Sequence, residues 1–478
     1  MENTATIFRY PKFLLVFVPD LIGRTIPAAS VADPMAEQEE QENARYKHTQ
    51  EQLRDVNFMP PLIEAVPLGL QHVLAMFVGN VSVPLIVAAA IDLPLAETIF
   101  LVQATMFVAG VATMVQALGV GPIGARVPIV MGTSFAFVPV MIPIAAAYGL
   151  PAVLGAAFCG GLTMALVGLC LRWIRFLFPP VVTGTFIVMI GIILLPVGFT
   201  YVGGGFGASD FGASTHLFLA ALVFVVTVGF NQFAKGFLSE MAVLIGIVVG
   251  YIAAIPMGMV DFSKITSAGW VQLPIPFQIG LEFVPVAIAG VVMMAIVTSA
   301  ESIGDITGTV ISGANREPTD KELSGGVMAD GLASSFAAIF NAFPQISFSQ
   351  NVGLVALTGV ASRYVVAIGG GFLVAAGLVP KLGAVVTTIP NAVLGGAVVI
   401  MFGLIAAAGM KMLAGIPFNK RNMLIIGITL AVAIGVPAQD GLYANAPDGI
   451  KAMLDSGLIP GAIVSIVLNL ILPGRTAR

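Results

Sequence analysis

Glu301 and Asp305 stand in T-S-A-E-S-I-G-D, just past the apolar run 284–297. Four residues apart, they share one helix face. At the centre of a membrane helix a charged carboxylate costs roughly 2.5–3.5 kcal/mol, and two on one face also repel. Unless both lie at the helix end in water, such a pair points to one acid that accepts hydrogen bonds from a substrate and one that carries a proton. Residues 345–351 add Gln345, Ser347, Ser349, Gln350 and Asn351, directly after Pro344. An unbroken membrane helix does not gather so many polar groups. A broken helix lining a cavity does, because its freed backbone groups need partners. His72, in the first apolar segment, reads as a bond to a neighbouring backbone or as a support for a carboxylate, and Asn80 as a helix–helix hydrogen bond. Ser134 and Phe135 follow a second interruption and offer a hydroxyl and a ring that either packs or stacks on a planar ligand. Other chemistries lack their patterns. Cys159 and Cys170 have no metal spacing and read as buried thiols. The glycine-rich stretch 203–207 lacks the lysine and the strand–helix setting of a phosphate cradle. No basic patch suggests nucleic acid.

The elements that must position these residues are membrane helices. Of 478 residues, 58% are hydrophobic and 10% charged, too few charges to cover a soluble surface. The apolar residues come in runs of roughly 20, the length of a helical span, not in the alternating segments of a membrane barrel. The expected fold class is an all-α polytopic membrane protein of about fourteen spans, beginning near Pro67, Pro94, Val127, Leu150, Pro179, His216, Glu240, Val284, Gly325, Pro344, Val365, Asn391, Asn422 and Gly457. Fourteen divides into two inverted repeats of seven. The third and tenth spans then correspond, and both are broken. Six residues after Pro128 stands Ser134, and six after Pro344 stands Gln350. Each is expected to hold a short extended piece and then a half-helix, with two N-termini facing across a polar site.

With the N-terminus inside, twelve Lys and Arg fall on the inner side and only Lys264, Lys381 and Lys451 on the outer, the bias of cytoplasmic loops. Both termini are then cytoplasmic. Residues 1–60 are polar and acidic, with Glu37, Glu39, Glu40 and Glu42, and read as a tail of low order, in part helical. Residues 474–478 form a second tail. The apolar run 14–18 is too short for a leader. The outer loop 259–274, with Trp270, reads as a hairpin cover.

These motifs resemble the nucleobase–ascorbate transporter family. Its signature matches Gln350-Asn351-Val352-Gly353 and then Thr358-Gly359, and the likeness includes Gln71-His72, the G-T-S-F-A-F of the third span and the Glu301–Asp305 pair. The resemblance implies a core domain of spans 1–4 and 8–11 (about 61–175 and 281–388) that moves elevator fashion against a gate domain of spans 5–7 and 12–14 (about 176–280 and 389–473), the gate forming a homodimer contact. It implies that Glu301 and Gln350 hold a base, with Ser349 beside them, that Phe135 contacts its ring and that Ser134 bears on purine choice. Asp305 is implied in proton coupling, and Asn351 and His72 in support of the site. Gln350 at the first signature position is typical of xanthine and uric acid permeases. Val352 departs from the second Asn of many purine members. An oxopurine edged with C=O and N–H groups suits an amide beside a carboxylate. The expectation is therefore a proton-coupled importer of an oxidised purine in a cell inner membrane. Neither a catalytic residue nor a metal is expected, and the proton is the coupling ion with no other cofactor. A uracil permease and a sulfate-type anion transporter are the alternatives, the second disfavoured by the acid at Glu301. An intramembrane aspartyl protease needs Gly-x-Gly-Asp, which Ser302-Ile303-Gly304 before Asp305 does not supply.

Overall fold

The computed structural model describes residues 49–177 and 179–473. A helical turn at Gln50–Arg54 precedes α1 (Leu62–Ala90) and α2 (Leu95–Leu118). Then come β1 (Met131–Thr133), a 3-10 turn (Phe135–Phe137) leading into α3 (Val138–Tyr148), α4 (Leu150–Leu169), α5 (Pro180–Val202), α6 (Ser214–Phe233) and α7 (Ala242–Ala254). After a long connection follow α8 (Pro285–Ala314), α9 (Asp320–Ile339), β2 (Gln345–Ser347), α10 (Gln350–Thr358), α11 (Arg363–Gly377) and α12 (Pro380–Thr387). The chain ends through α13 (Asn391–Ala414), α14 (Lys420–Gly435), α15 (Asp448–Asp455) and α16 (Leu458–Ile471).

Among the described residues seven helices (α1, α2, α4, α5, α6, α8 and α13) are long and apolar enough to cross a bilayer, and nine if the bent pairs α11–α12 and α15–α16 each count as one span. Helices α3, α7 and α14, of 11, 13 and 16 residues, fall short of the roughly 20 that a straight span needs. The number of helices that meet span length alone is thus smaller than the fourteen expected. Helix α9 has the length but carries charge. Its start is set by a capping box in which Thr319 accepts from Glu322 N and Glu322 accepts from Thr319 N.

Two expectations are corrected. Residues 50–60 do not form a low-order tail. Leu53 is only 4% exposed, and its carbonyl accepts from Ala361 N at 2.8 Å while Val56 O accepts from Arg363 N at 3.1 Å, which fixes this stretch on the α10–α11 connection. Residues 1–48 and 474–478 lie outside the described residues. The loop 259–274 forms no hairpin. It holds a helical turn (Ser263–Ser267), and Pro274 and Pro276 remove two ladder donors. Gln272 is tied instead by its N–H to Leu378 O and by its carbonyl to Gln103 Nε2, and Lys381 lies over Trp270.

Helices α1 and α2 pack against α11, α4 packs against α8 and α9, and α5 and α6 pack against α13. Glycines allow the closest of these crossings. A Cβ on Gly110 of α2 would lie 2.5 Å from Val374 N and 2.6 Å from Gly370 O of α11. Alanine favours a helix over glycine by about 1 kcal/mol, but overpacking costs about 1–3 kcal/mol and here the obstacle is backbone. Gly110→Ala is therefore expected to lower the thermal unfolding midpoint in detergent, whereas the same change at Gly427, which faces open space, is expected to raise it slightly.

The two strands pair antiparallel, with Met131 opposite Ser347, Gly132 opposite Ile346 and Thr133 opposite Gln345. Ser134 N donates to Pro344 O and Phe348 N to Val130 O, which lengthens the ladder at both ends. A two-stranded sheet in an apolar interior leaves edge N–H and C=O groups that need partners. Flanking side chains provide them. Thr113 of α2 accepts from Met131 N, Asn80 of α1 accepts from Thr133 N, and Ser334 of α9 both accepts from Gln345 N and donates to Gln345 O. Asn80, expected as a helix–helix bond, therefore holds a strand.

Candidate functional site

Antiparallel pairing sends the chain out of the ladder at opposite ends. Ser134 then leads into the 3-10 turn before α3, and Ser349 sits at the N-cap of α10. Helix α8, which carries both acids, packs against that turn, β2 and α10. Proline spacing thus located the two polar positions, and the long-range pairing brings them to one helix.

Asp305 is buried, and its Oδ1 accepts a hydrogen bond from Ser349 Oγ at 2.7 Å. Glu301 and Gln350 are half-buried and Ser349 is exposed. Glu301 Oε2, Asp305 Oδ2 and Ser134 Oγ are buried without a hydrogen-bond partner. Buried polar groups are nearly always paired, and a concentration of unpaired ones marks a place where further partners are received. Gly308 lets α8 approach α10, since a Cβ there would meet Val352.

His72 bonds Asn351 Oδ1, and Asn351 Nδ2 donates to Pro128 O. The histidine therefore supports an amide of the signature and not a carboxylate, because α10 presents Asn351 to α1 while both acids of α8 lie on another side. Phe135 is 7% exposed and meets Phe402 of α13 edge-on, with ring centroids 5.4 Å apart. Thr358 Oγ1 donates to Leu354 O, and Gly359, at φ +65°, ends α10 in the left-handed region that suits glycine. A Cβ on Gly353 would lie 3.2 Å from Glu240 Oε2, so the signature glycine makes room for the turn before α7. Asn391 Nδ2 donates to Gly204 O, and His216 pairs with Asp210 at 2.8 Å.

Sequence reasoning missed Asp330. It is fully buried, and its two oxygens accept from Gln116 Nε2 (2.8 Å), Ser347 Oγ (3.0 Å), Ser302 Oγ (2.5 Å) and Ser347 N (3.1 Å). One carboxylate of α9 thereby fixes α2, α8 and β2 together. The signal was present, an acid inside the apolar run G-G-V-M-A-D-G-L, of the type that singled out Glu301. Among the described residues no group of three or more His, Cys, Asp or Glu could hold a metal.

Acceptors, an amide and hydroxyls around two broken segments suit recognition of a polar planar molecule. The sequence profile of the permease family matches residues 63–442. The chain belongs to the nucleobase–ascorbate transporter family. It is 39% identical over 416 residues to a xanthine permease of Bacillus subtilis (strain 168), covering 85% of this chain and 93% of that one. It is 38% identical over 416 residues to the uric acid permease PucK of the same organism, covering 85% and 95%. With the xanthine permease XanP of Escherichia coli (strain K12) it shares 35% identity over 432 residues, 87% of this chain and 93% of that one. Among solved structures it is similar in fold to the transmembrane domain of the cyanobacterium bicarbonate transporter BicA (TM-score 0.52, 16% identity, covering 87% and 100%). A murine Slc26a9 anion transporter in the inward-facing state gives a TM-score of 0.57 at 14% identity, covering 93% of this chain and 73% of that one. The protein is a multi-pass membrane permease.

Proposed function

We propose that this permease imports an oxidised purine, xanthine or uric acid, together with a proton. The observation that carries the reading is the Ser349–Asp305 hydrogen bond where both broken segments reach α8, with Gln350 next to that serine, Glu301 one turn before that acid, and unpaired acceptors on both acids. The Gln350 amide can donate to a ring carbonyl and accept from a ring N–H, while Glu301 accepts two N–H groups. Site groups left unpaired by a wrong ring reject it. In the proposed cycle a proton reaches Asp305, the base binds Glu301 and Gln350, the core carries both across, and proton and base leave inside. Relatives named as xanthine and uric acid permeases support the substrate class.

In this reading the helices form fourteen spans in two inverted repeats of seven, with short segments completed by extended pieces or tilt. Helices α1, α2, α4, α8, α9 and α11 pack among themselves, and α5, α6 and α7 pack with α13, which supports a core that moves against a gate, the gate joining two copies. Both termini face the cytoplasm of a plasma membrane. A sulfate-type anion transporter on this fold is disfavoured by Glu301 and Asp305 beside the two breaks, since such an anion offers no N–H groups for their carboxylates to accept.

Radiolabelled xanthine uptake by cells expressing the protein tests this, with unlabelled uric acid, hypoxanthine and uracil as competitors and a protonophore as a control. Protonophore-sensitive uptake blocked by uric acid and not by uracil is expected. Competition by uracil alone would overturn the purine assignment.

A further inference from the structure

We propose that the protein holds an acidic phospholipid by its headgroup in a cavity away from the transport site. The cavity, about 1090 Å³, lies among the ends of α2, α4, α8 and α9 and is lined by Arg126, Arg316, Lys321 and Arg363 together with Asp320 and Glu322. Its charges do not simply cancel. Arg316 and Glu322 neutralise each other through two bonds, at 2.9 and 2.5 Å. That leaves Arg126, Lys321 and Arg363 against Asp320. Arg126 donates to Gly121 O, and Arg363 donates to Leu118 O and Tyr364 Oη, so both guanidinium groups are held in place by neutral acceptors, and neither has an ion pair among the described residues. Lys321 has no ion pair among the described residues.

A phosphate-bearing anion fits this charge, and the neighbouring surface says that it belongs to a lipid. Leu162, Leu166, Leu169 and Trp173 follow one another at spacings of four, three and four residues and are all exposed, which is a single helical stripe. Leu169 both ends the helical part of that stripe and lines the cavity. Trp173 and Phe176, exposed at the same end, have the amphipathic or apolar rings found at headgroup level. An acyl chain lying on this stripe brings its headgroup to the basic wall, the arrangement by which pockets between membrane helices select anionic lipids. The inference rests on the membrane assignment and not on the transported substrate, so its test leaves transport aside.

The chain has two tryptophans, and Trp270→Phe leaves Trp173 as the only reporter. In phosphatidylcholine nanodiscs, a minor fraction of brominated phosphatidylglycerol is expected to quench Trp173 more than the same fraction of brominated phosphatidylcholine. Arg126→Gln with Lys321→Gln is expected to weaken that preference by roughly fivefold per charge removed. Equal quenching by the two lipids in the parent, or an undiminished preference in the double variant, overturns the proposal. Loss of the preference on adding inorganic phosphate at constant ionic strength overturns it as well, because the cavity then takes a free anion. Should the double variant fail to fold, Lys321→Gln alone is read the same way, and the parent comparison stands without either.

Discussion

Asp330→Ala is expected to destabilise the protein more than any substitution in the transport site, and to do so with no substrate present. The change removes the acceptor of four hydrogen bonds and leaves a void at a fully buried position. Side-chain hydrogen bonds within a bilayer average only about 0.6 kcal/mol, so four of them would sum to between 2 and 3 kcal/mol on that scale. The donors are not equal, however. Ser302 Oγ has a second acceptor in Thr298 O at 3.4 Å and can turn to it. Ser347 N–H belongs to β2 and cannot turn, and a stranded buried donor costs about 1–3 kcal/mol. Together the terms reach roughly 3–5 kcal/mol, a large share of the usual 5–15 kcal/mol of folding stability. Thermal unfolding in detergent should show a markedly lower midpoint and a poor yield of folded protein. Asp330→Asn keeps one acceptor oxygen but turns an NH₂ group on another donor, and should fall between alanine and the parent. A midpoint unchanged in Asp330→Ala would mean that the ladder and the Ser334 bonds to Gln345 hold β2 without the carboxylate.

The reason Asp330 escaped sequence reading applies to much of the site. Pro128 and Pro344 announce breaks because a proline removes a donor and restricts the residue before it, and the polar residues six positions on gave Ser134 and Gln350 directly. Those are local effects. That β1 pairs with β2 is not local, since Thr133 and Gln345 are 212 residues apart, and one sequence holds nothing that fixes their register. Asp330, Gln116 and Ser347 become one network only through that register. His72 shows the same limit, for its position in the first apolar segment suggested a neighbouring backbone group or a carboxylate, and its partner, the Asn351 amide of α10, lies 279 residues away in the sequence. Phe135 was legible as a ring past a break, and its contact with Phe402 was not. Span counting meets a different limit. Composition over 20 residues finds α1, α5 and α13 at once, while α3 and α10 are short helices that each follow a strand, and it was their prolines and polar residues, not their apolar length, that marked them.

Glu301→Gln is expected to cut xanthine uptake about tenfold to 150-fold, the range that follows from losing hydrogen bonds to a charged acceptor worth about 1.5–3 kcal/mol. Glutamine keeps the shape but replaces one acceptor oxygen with a donor, so one ring N–H of the base meets another N–H. If Glu301 only reads the base, the loss falls on KM and exchange of substrate across a membrane survives at high concentration. If Glu301 instead carries the proton, kcat falls and the protonophore loses its effect. Gln350→Glu makes the reciprocal change. It removes the donor that suits a purine carbonyl and sets a third acid beside Glu301 and Asp305, whose Ser349 contact lies one residue away. Xanthine uptake should then fall by a similar factor while competition by uracil rises. A Gln350→Glu protein that keeps full xanthine uptake would show that α10 shapes the site through Ser349 and Asn351, with the amide turned away from the base.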